Sequence, residues 1–362
     1  MCPLREPPAL APLPVPTCVS HLRSPMLCLG TMRTVRRFRR IMLIALASGI
    51  VAFLIVPFLI PVESSGTLTI TQAAGDDAEF VTLAGRQVHI ETSDYTGDCS
   101  CEPPLIVLLH GFGASTFSWR DVLEPLAREG DVIAYDRPGF GFTERPTEWQ
   151  GDNPYGTPGN LALLDDLLAK FAQGREVVLV GHSAGGQLAA EYARLNPQNV
   201  DRLVLVAPAV FTTGGLPGWL TPVLGIPQID RLGPLAVASI ASAGEDLLRQ
   251  SFFDQSVLTA AVFEGYRRPL TVKGWEAALW RFSTAPRDND LLANLASVAQ
   301  PTLLISGDAD TVVPTVDTER LAPELSDAEL VVIPRSGHLP QEETPDQFVA
   351  AVLDWLARTA SR

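Results

Sequence analysis

An α/β architecture is predicted for this 362-residue chain: a mostly parallel sheet of eight strands flanked by helices, with a membrane-spanning helix ahead of it. Three observations predict it. Short apolar, β-branched runs alternate with helix-like segments between residues 79 and 358, the pattern of parallel strands buried on both faces. Gly181-His182-Ser183-Ala184-Gly185 stands where one such strand meets one such helix. Residues 41–62 form an uncharged apolar run, and five arginines lie just before it.

The first 40 residues are expected to be disordered and cytoplasmic. They are rich in proline (Pro3, Pro7, Pro8, Pro12, Pro14, Pro16) and show no periodicity. Translation is expected to start at Met26 or Met32, just upstream of the basic cluster. As a helix, residues 41–62 would span about 33 Å, enough to cross a bilayer core of about 30 Å. Arginines precede the run and Glu63, Asp76, Asp77 and Glu79 follow it. The positive-inside rule therefore puts the N-terminus in the cytoplasm and the rest of the chain on the outer face of the cell membrane. The run is long for a cleaved signal sequence and no clear A-x-A site follows, so it is read as an uncleaved single-pass anchor. Pro57 and Pro61 should kink or end the helix near its outer end. Residues 63–78 are expected to be a linker.

Strands are expected at 80–83 and 87–90, a hairpin turning at Ala84-Gly85, then at 105–109, 132–135, 177–180, 203–206, 302–305 and 330–333. Helices are expected at 117–128, 160–171, 187–195 and 345–358. Roughly ninety residues between Val206 and Thr302 contain no convincing strand. Their first part is rich in Gly and Pro, and helices are expected at 245–253 and 274–282. So long an interval should be a structured subdomain. It concentrates Phe252, Phe253, Phe263, Tyr266, Trp275, Trp280 and Phe282; most should pack the insertion itself and a few should line a pocket.

Composition excludes some functions. Residues 1–40 carry seven arginines against one glutamate, and with a net charge of −14 overall the rest of the chain carries −20. Phosphate contacts need a basic surface, so no nucleic-acid partner is expected. Cys99 and Cys101 are one residue apart, which permits a disulfide only with strain. Two thiols without histidines nearby make a poor zinc site. They read as a surface loop, and no metal or cofactor is expected.

A strand–turn–helix serine at Gly181–Gly185 is the setting of a nucleophile elbow, where a strained backbone exposes the hydroxyl above the sheet. A serine needs a base, and the base needs a third group to hold it. Of five histidines, His21 lies beyond the membrane, His89 in the hairpin, His110 in the loop after the third strand, and His182 beside the serine, pointing away from the tip. His338, in the loop after the last strand, remains. The acid should follow the strand 302–305, where Asp308 and Asp310 both qualify. Asp310 is favoured because it sits further round the turn, with Asp308 bracing it. Oxyanion donors are expected from the backbone N–H groups of Ala184 and Phe112.

Together His110-Gly111-Phe112-Gly113, Asp136-Arg137-Pro138-Gly139-Phe140-Gly141, residues 181–185, residues 307–314 and Ser336-Gly337-His338 resemble the ordered motifs of the α/β-hydrolase fold, over about residues 79–358. The resemblance implies a core at 79–208 and 298–360 and a helical cap at 209–297, inserted after strand 6. The Asp-Arg-Pro-Gly-x-Gly form resembles esterases, cofactor-free haloperoxidase-like proteins and carbon–carbon bond hydrolases. Serine at 183 argues against haloalkane dehalogenase and epoxide hydrolase chemistry, which use aspartate there. The expectation is a membrane-anchored serine hydrolase of small or apolar carboxylic esters. Carbon–carbon, thioester or amide cleavage are the alternatives with the same residues, and a non-catalytic ligand-binding protein is the alternative of a different class.

Overall fold

The computed structural model describes residues 26–98, 102–211, 220–239, 241–287 and 290–360. The proline-rich N-terminus, Cys99, Cys101 and the glycines 214, 215 and 218 lie outside them. The chain divides into two compact units, Met1–Val56 and Pro57–Arg362.

Helix α1 (Met26–Leu59) accounts for the described part of the first unit and the first residues of the second. Its residues 34–59 are long and apolar enough to cross a membrane. The helix corrects two expectations. Residues 26–40 are helical where disorder was expected, because arginine is a good helix former and no proline interrupts 26–56. At the other end it runs through Pro57 and stops at Leu59 rather than 62, since a residue before proline, here Ile60 before Pro61, avoids the helical region. A short helix, α2 (Ile70–Ala74), begins at a capping box made by Thr69 and Gln72, in the stretch expected to be a linker.

Eight strands follow: β1 (Glu79–Leu83), β2 (Arg86–Ser93), β3 (Leu105–Leu109), β4 (Asp131–Tyr135), β5 (Val177–His182), β6 (Arg202–Val206), β7 (Thr302–Gly307) and β8 (Ala328–Ile333). They form one sheet in the order β1-β2-β4-β3-β5-β6-β7-β8, parallel from β4 to β8 and antiparallel at β1 and β2. Alternation along β3 explains its fully apolar sequence. Leu105, Val107 and Leu109 enter one core, and Ile106 and Leu108 enter the other.

Helices α4 (Thr157–Phe171) and α5 (Ala184–Leu195) close the first core with Leu163, Leu167 and Ala189. Helix α3 (Leu123–Leu126) and the C-terminal helix (Pro345–Thr359) close the second with Leu126, Phe348 and Trp355. The helix expected at 117–128 is instead a 3₁₀ turn at Thr116–Trp119 followed by the single turn of α3, because Pro125 has no N–H to extend a longer helix.

The chain passes from β3 to β4 on one side and then to β5 on the other. That reversal opens a crevice at the carboxyl ends of β3 and β5, where sheets of this kind bind ligands. Between β6 and β7 the described residues form α6 (Thr221–Leu224), α7 (Pro227–Ser239), α8 (Ala241–Gln250), α9 (Ala260–Arg267) and α10 (Trp275–Thr284). Part of this was expected to be loop, yet prolines at helix starts, as at 222 and 227, are compatible with helix.

Candidate active site

Strand β5 and helix α5 meet at Ser183, whose φ of 52° and ψ of −118° belong to neither strand nor helix. An L-residue held there costs about 1–3 kcal/mol and persists only where its surroundings impose it. Here they do. The Ser183 N–H donates to Val206 O at 2.8 Å, and its carbonyl accepts from the N–H groups of Gln187 and Ala209. Packing, rather than torsion, dictates glycine at 185: a Cβ there would lie 2.2 Å from Leu109 O. Gly185→Ala is therefore expected to cost at least about 1–3 kcal/mol, the range for overpacked cores. Thermal denaturation checks this, and a wild-type midpoint would show that the strand and helix are less tightly apposed.

Asp310 Oδ2 lies 2.8 Å from His338 Nδ1, and both residues are buried. Its other oxygen accepts from the N–H groups of Val312 (2.8 Å) and Val313 (3.0 Å), which fixes the carboxylate. Asp308 is exposed and accepts only a long bond, 3.4 Å, from Ser336 N–H across the same turn. Of the two aspartates, the structure brings Asp310 to the histidine. His182, next to Ser183, has Nε2 2.9 Å from His338 O, and the two ring centroids lie 4.6 Å apart with the planes tilted by 57°. A carbonyl can only accept, so His182 carries its proton on Nε2. Burial holds this histidine neutral, far below the ordinary imidazole range. The elbow and the His338 loop are thus tied together by a residue read from sequence as merely pointing away.

The alpha/beta hydrolase family model matches residues 106–351. An uncharacterized hydrolase, YugF of Bacillus subtilis, is 31% identical over 69% of this chain and 89% of its own length. The 2-hydroxy-6-oxo-2,4-heptadienoate hydrolase of Pseudomonas putida is 31% identical over 70% of this chain and 88% of its own. The chain belongs to the alpha/beta hydrolase family. Among solved structures, a thermophilic esterase from Thermogutta terrifontis shares the fold with a TM-score of 0.62 at 20% identity, covering 78% of this chain and 99% of its own.

In this alpha/beta hydrolase the loop after β3 lies against the elbow: a Cβ on Gly111 would sit 3.2 Å from Ser183 Cβ. The N–H groups of Phe112 and Ala184 have no acceptor among the described residues. His110 braces the loop. Its Nδ1–H donates to Gly111 O (2.7 Å) and its Nε2 accepts the Arg137 N–H (3.0 Å), which leaves no site for a second proton. Burial, with the charge of Arg137, accordingly drives His110 down to about 3.

Phe112 is 46% exposed, and its ring contacts Phe140 (5.8 Å) and Phe282 of α10 (5.9 Å). Beneath those rings Arg137 is buried, with Nε and Nη2 unpartnered. Burial lowers its guanidinium to about 10. Sequence reasoning missed Arg137, which sits inside a recognised motif. It also missed Glu342, a buried carboxyl that burial pushes up to about 7 against the pull of Arg120 (2.5 Å) and of Tyr266 from α9. A carboxylate near the histidine loop gives no signal in sequence until α9 is folded over it.

Proposed function

We propose that this alpha/beta hydrolase is a membrane-anchored serine hydrolase of carboxylic esters, with Ser183, His338 and Asp310 as its triad. The contact of Asp310 with His338, in the loop tied to a strained elbow serine, carries the reading. Ser183 Oγ attacks the ester carbonyl while His338 Nε2 takes its proton. Asp310 keeps the imidazole proton on Nδ1 and stabilises the imidazolium. The N–H groups of Phe112 and Ala184 receive the oxyanion, an effect worth about 10²–10³ in turnover per donor. His338 then protonates the leaving alcohol, and water, deprotonated by the same histidine, releases the acyl group. The helices of residues 209–297 form a cap over a core of 79–208 and 298–360. Helix α1 is the anchor, with the catalytic domain on the outer face. Rings from both sides of the cap boundary, Phe112, Phe140 and Phe282, suit small or apolar acyl groups.

Carbon–carbon hydrolysis is the second reading. One relative acts on a dienoate by its name, and the unpartnered guanidinium of Arg137 beneath Phe140 and Phe282 fits a carboxylate. A fluorophosphonate probe is expected to label the wild-type protein and not Ser183→Ala. Folded wild-type protein that stays unlabelled would sink the serine mechanism. Neutral p-nitrophenyl esters should be turned over faster than a 2-hydroxy-6-oxo-dienoate; the reverse order would favour carbon–carbon cleavage.

A further inference from the structure

Residues 60–74, which follow the apolar helix, are fastened to the helices between β6 and β7 along their length. Glu276, at the start of α10 and buried, accepts from Ser64 Oγ (2.7 Å), Ser65 N (2.6 Å) and Ser65 Oγ (2.7 Å). Ser64 Oγ accepts the Gly274 N–H (2.8 Å), and Ser65 Oγ accepts the Trp275 indole N–H (3.0 Å). Burial raises the Glu276 carboxyl, but these serine bonds outweigh it and hold the group below the ordinary carboxylate range. Further on, Leu68 pairs with Val272 as a bridge, and Lys273 N–H donates to Leu68 O at 2.8 Å. The approach is close enough that a Cβ on Gly66 would lie 2.3 Å from Val272 O. Finally α2 buries Ala73 against Phe142 and Val272.

At the beginning of this strap, Arg231 of α7 donates to Ile60 O at 3.4 Å. Ile60 is the first residue past α1, so α7 sits at the point where the chain leaves the apolar helix. The segment there is poor in charge. Residues 220–239 contain two charges, Asp230 and Arg231, in a chain that is 19% charged. Both are engaged, Asp230 by the Trp280 indole N–H (2.8 Å) and Arg231 by Ile60 O. Val223 and Leu235 are 43% and 38% exposed on this face.

We infer that the α6–α7 face rests on the lipid bilayer that α1 crosses, held there by the strap of residues 60–74. The inference builds on the proposed anchor. Because Arg231 of α7 reaches Ile60 O, α7 stays beside the end of the apolar helix while the strap is bonded. A charge-poor face whose two charged side chains are both bonded within the protein suits contact with lipid.

The full-length chain in phosphatidylcholine vesicles containing an alkyne-tagged lipid tests this by photo-crosslinking. Benzoylphenylalanine is placed in turn at 235, at 53 within α1, and at 316, an exposed apolar position after β7. Lipid adducts are expected at 53 and 235 and not at 316. Adducts at 53 without any at 235, or equal yields at 235 and 316, would overturn the inference and leave the anchor standing. No adduct at 53 would remove the anchor and the inference with it. Adding Ser64→Ala and Ser65→Ala should reduce the yield at 235 several-fold with the yield at 53 unchanged; an unchanged yield at 235 would refute the role of the strap.

Discussion

Ser183→Ala is expected to lower ester turnover by about 10⁶-fold, the scale seen when a triad nucleophile is removed, and to leave the thermal midpoint where it was. The two halves have separate causes. Turnover falls because the substitution removes the hydroxyl proposed as the nucleophile, at the elbow beside the Gly111 loop. Stability holds because alanine keeps the Cβ, and the bonds that impose the turn come from the backbone of Gln187, Val206 and Ala209. Ser183→Gly separates strain from chemistry. It should be equally inactive, yet it relieves a φ of 52° worth about 1–3 kcal/mol and so raises the midpoint by a few degrees. Kinetics on one ester and calorimetry on the three proteins decide it. A Ser183→Ala protein with more than a hundredth of wild-type activity would place the nucleophile elsewhere.

Asp136→Asn is expected to cost about 3–5 kcal/mol, a large part of the stability of an ordinary domain, without touching the reacting groups. Every partner of this buried carboxylate is a donor. Oδ1 accepts the Thr116 N–H (2.7 Å); Oδ2 accepts the Phe142 N–H (2.8 Å) and His89 Nδ1–H (2.8 Å). An amide must turn its NH₂ toward one of these sets and leave donors facing donors. Burial pushes the Asp136 carboxyl up, but the hydrogen bond and charge of His89 outweigh it and hold it below the usual range. Burial pushes His89 down, and the same bond to Asp136 raises it above the ordinary value.

The signs follow from linkage. The depressed Asp136 contributes stability that is present above its unfolded value of 3.8 and lost as pH falls through its folded value. The raised His89 contributes stability that is present below 6.5 and lost as pH rises through its own. Wild type should therefore exceed Asp136→Asn most between these limits, and the gap should narrow on both sides. Urea denaturation at stepped pH measures it; a gap that does not vary with pH would mean that the pair is not ionised.

The sheet was legible because fully buried parallel strands must be written as short apolar runs, and 105–109 or 203–206 admit little else. The proposed triad acid was legible only as a pair. Asp308 and Asp310 share a turn, and it is the fixing of Asp310 by the N–H groups of Val312 and Val313 that distinguishes them. The strap was not legible at all. Ser64 and Ser65 read as polar linker until Glu276, more than two hundred residues away, supplies the acceptor. Arg137 and Glu342 were hidden for the same reason, since burial of a charge is a property of the elements that close over it.

The backbone N–H of His338 donates to Ser251 O at 2.7 Å, across the boundary between the β8 loop and the segment that ends α8. Leu339 is buried among Leu248, Phe252 and Val262 of the same layer. The proposed general base is therefore seated by the helices between β6 and β7 as much as by the sheet. A displacement of α8 would therefore pull on the backbone of His338 through Ser251. The geometry of the proposed triad is in this way coupled to the helices between β6 and β7, and not to the sheet alone.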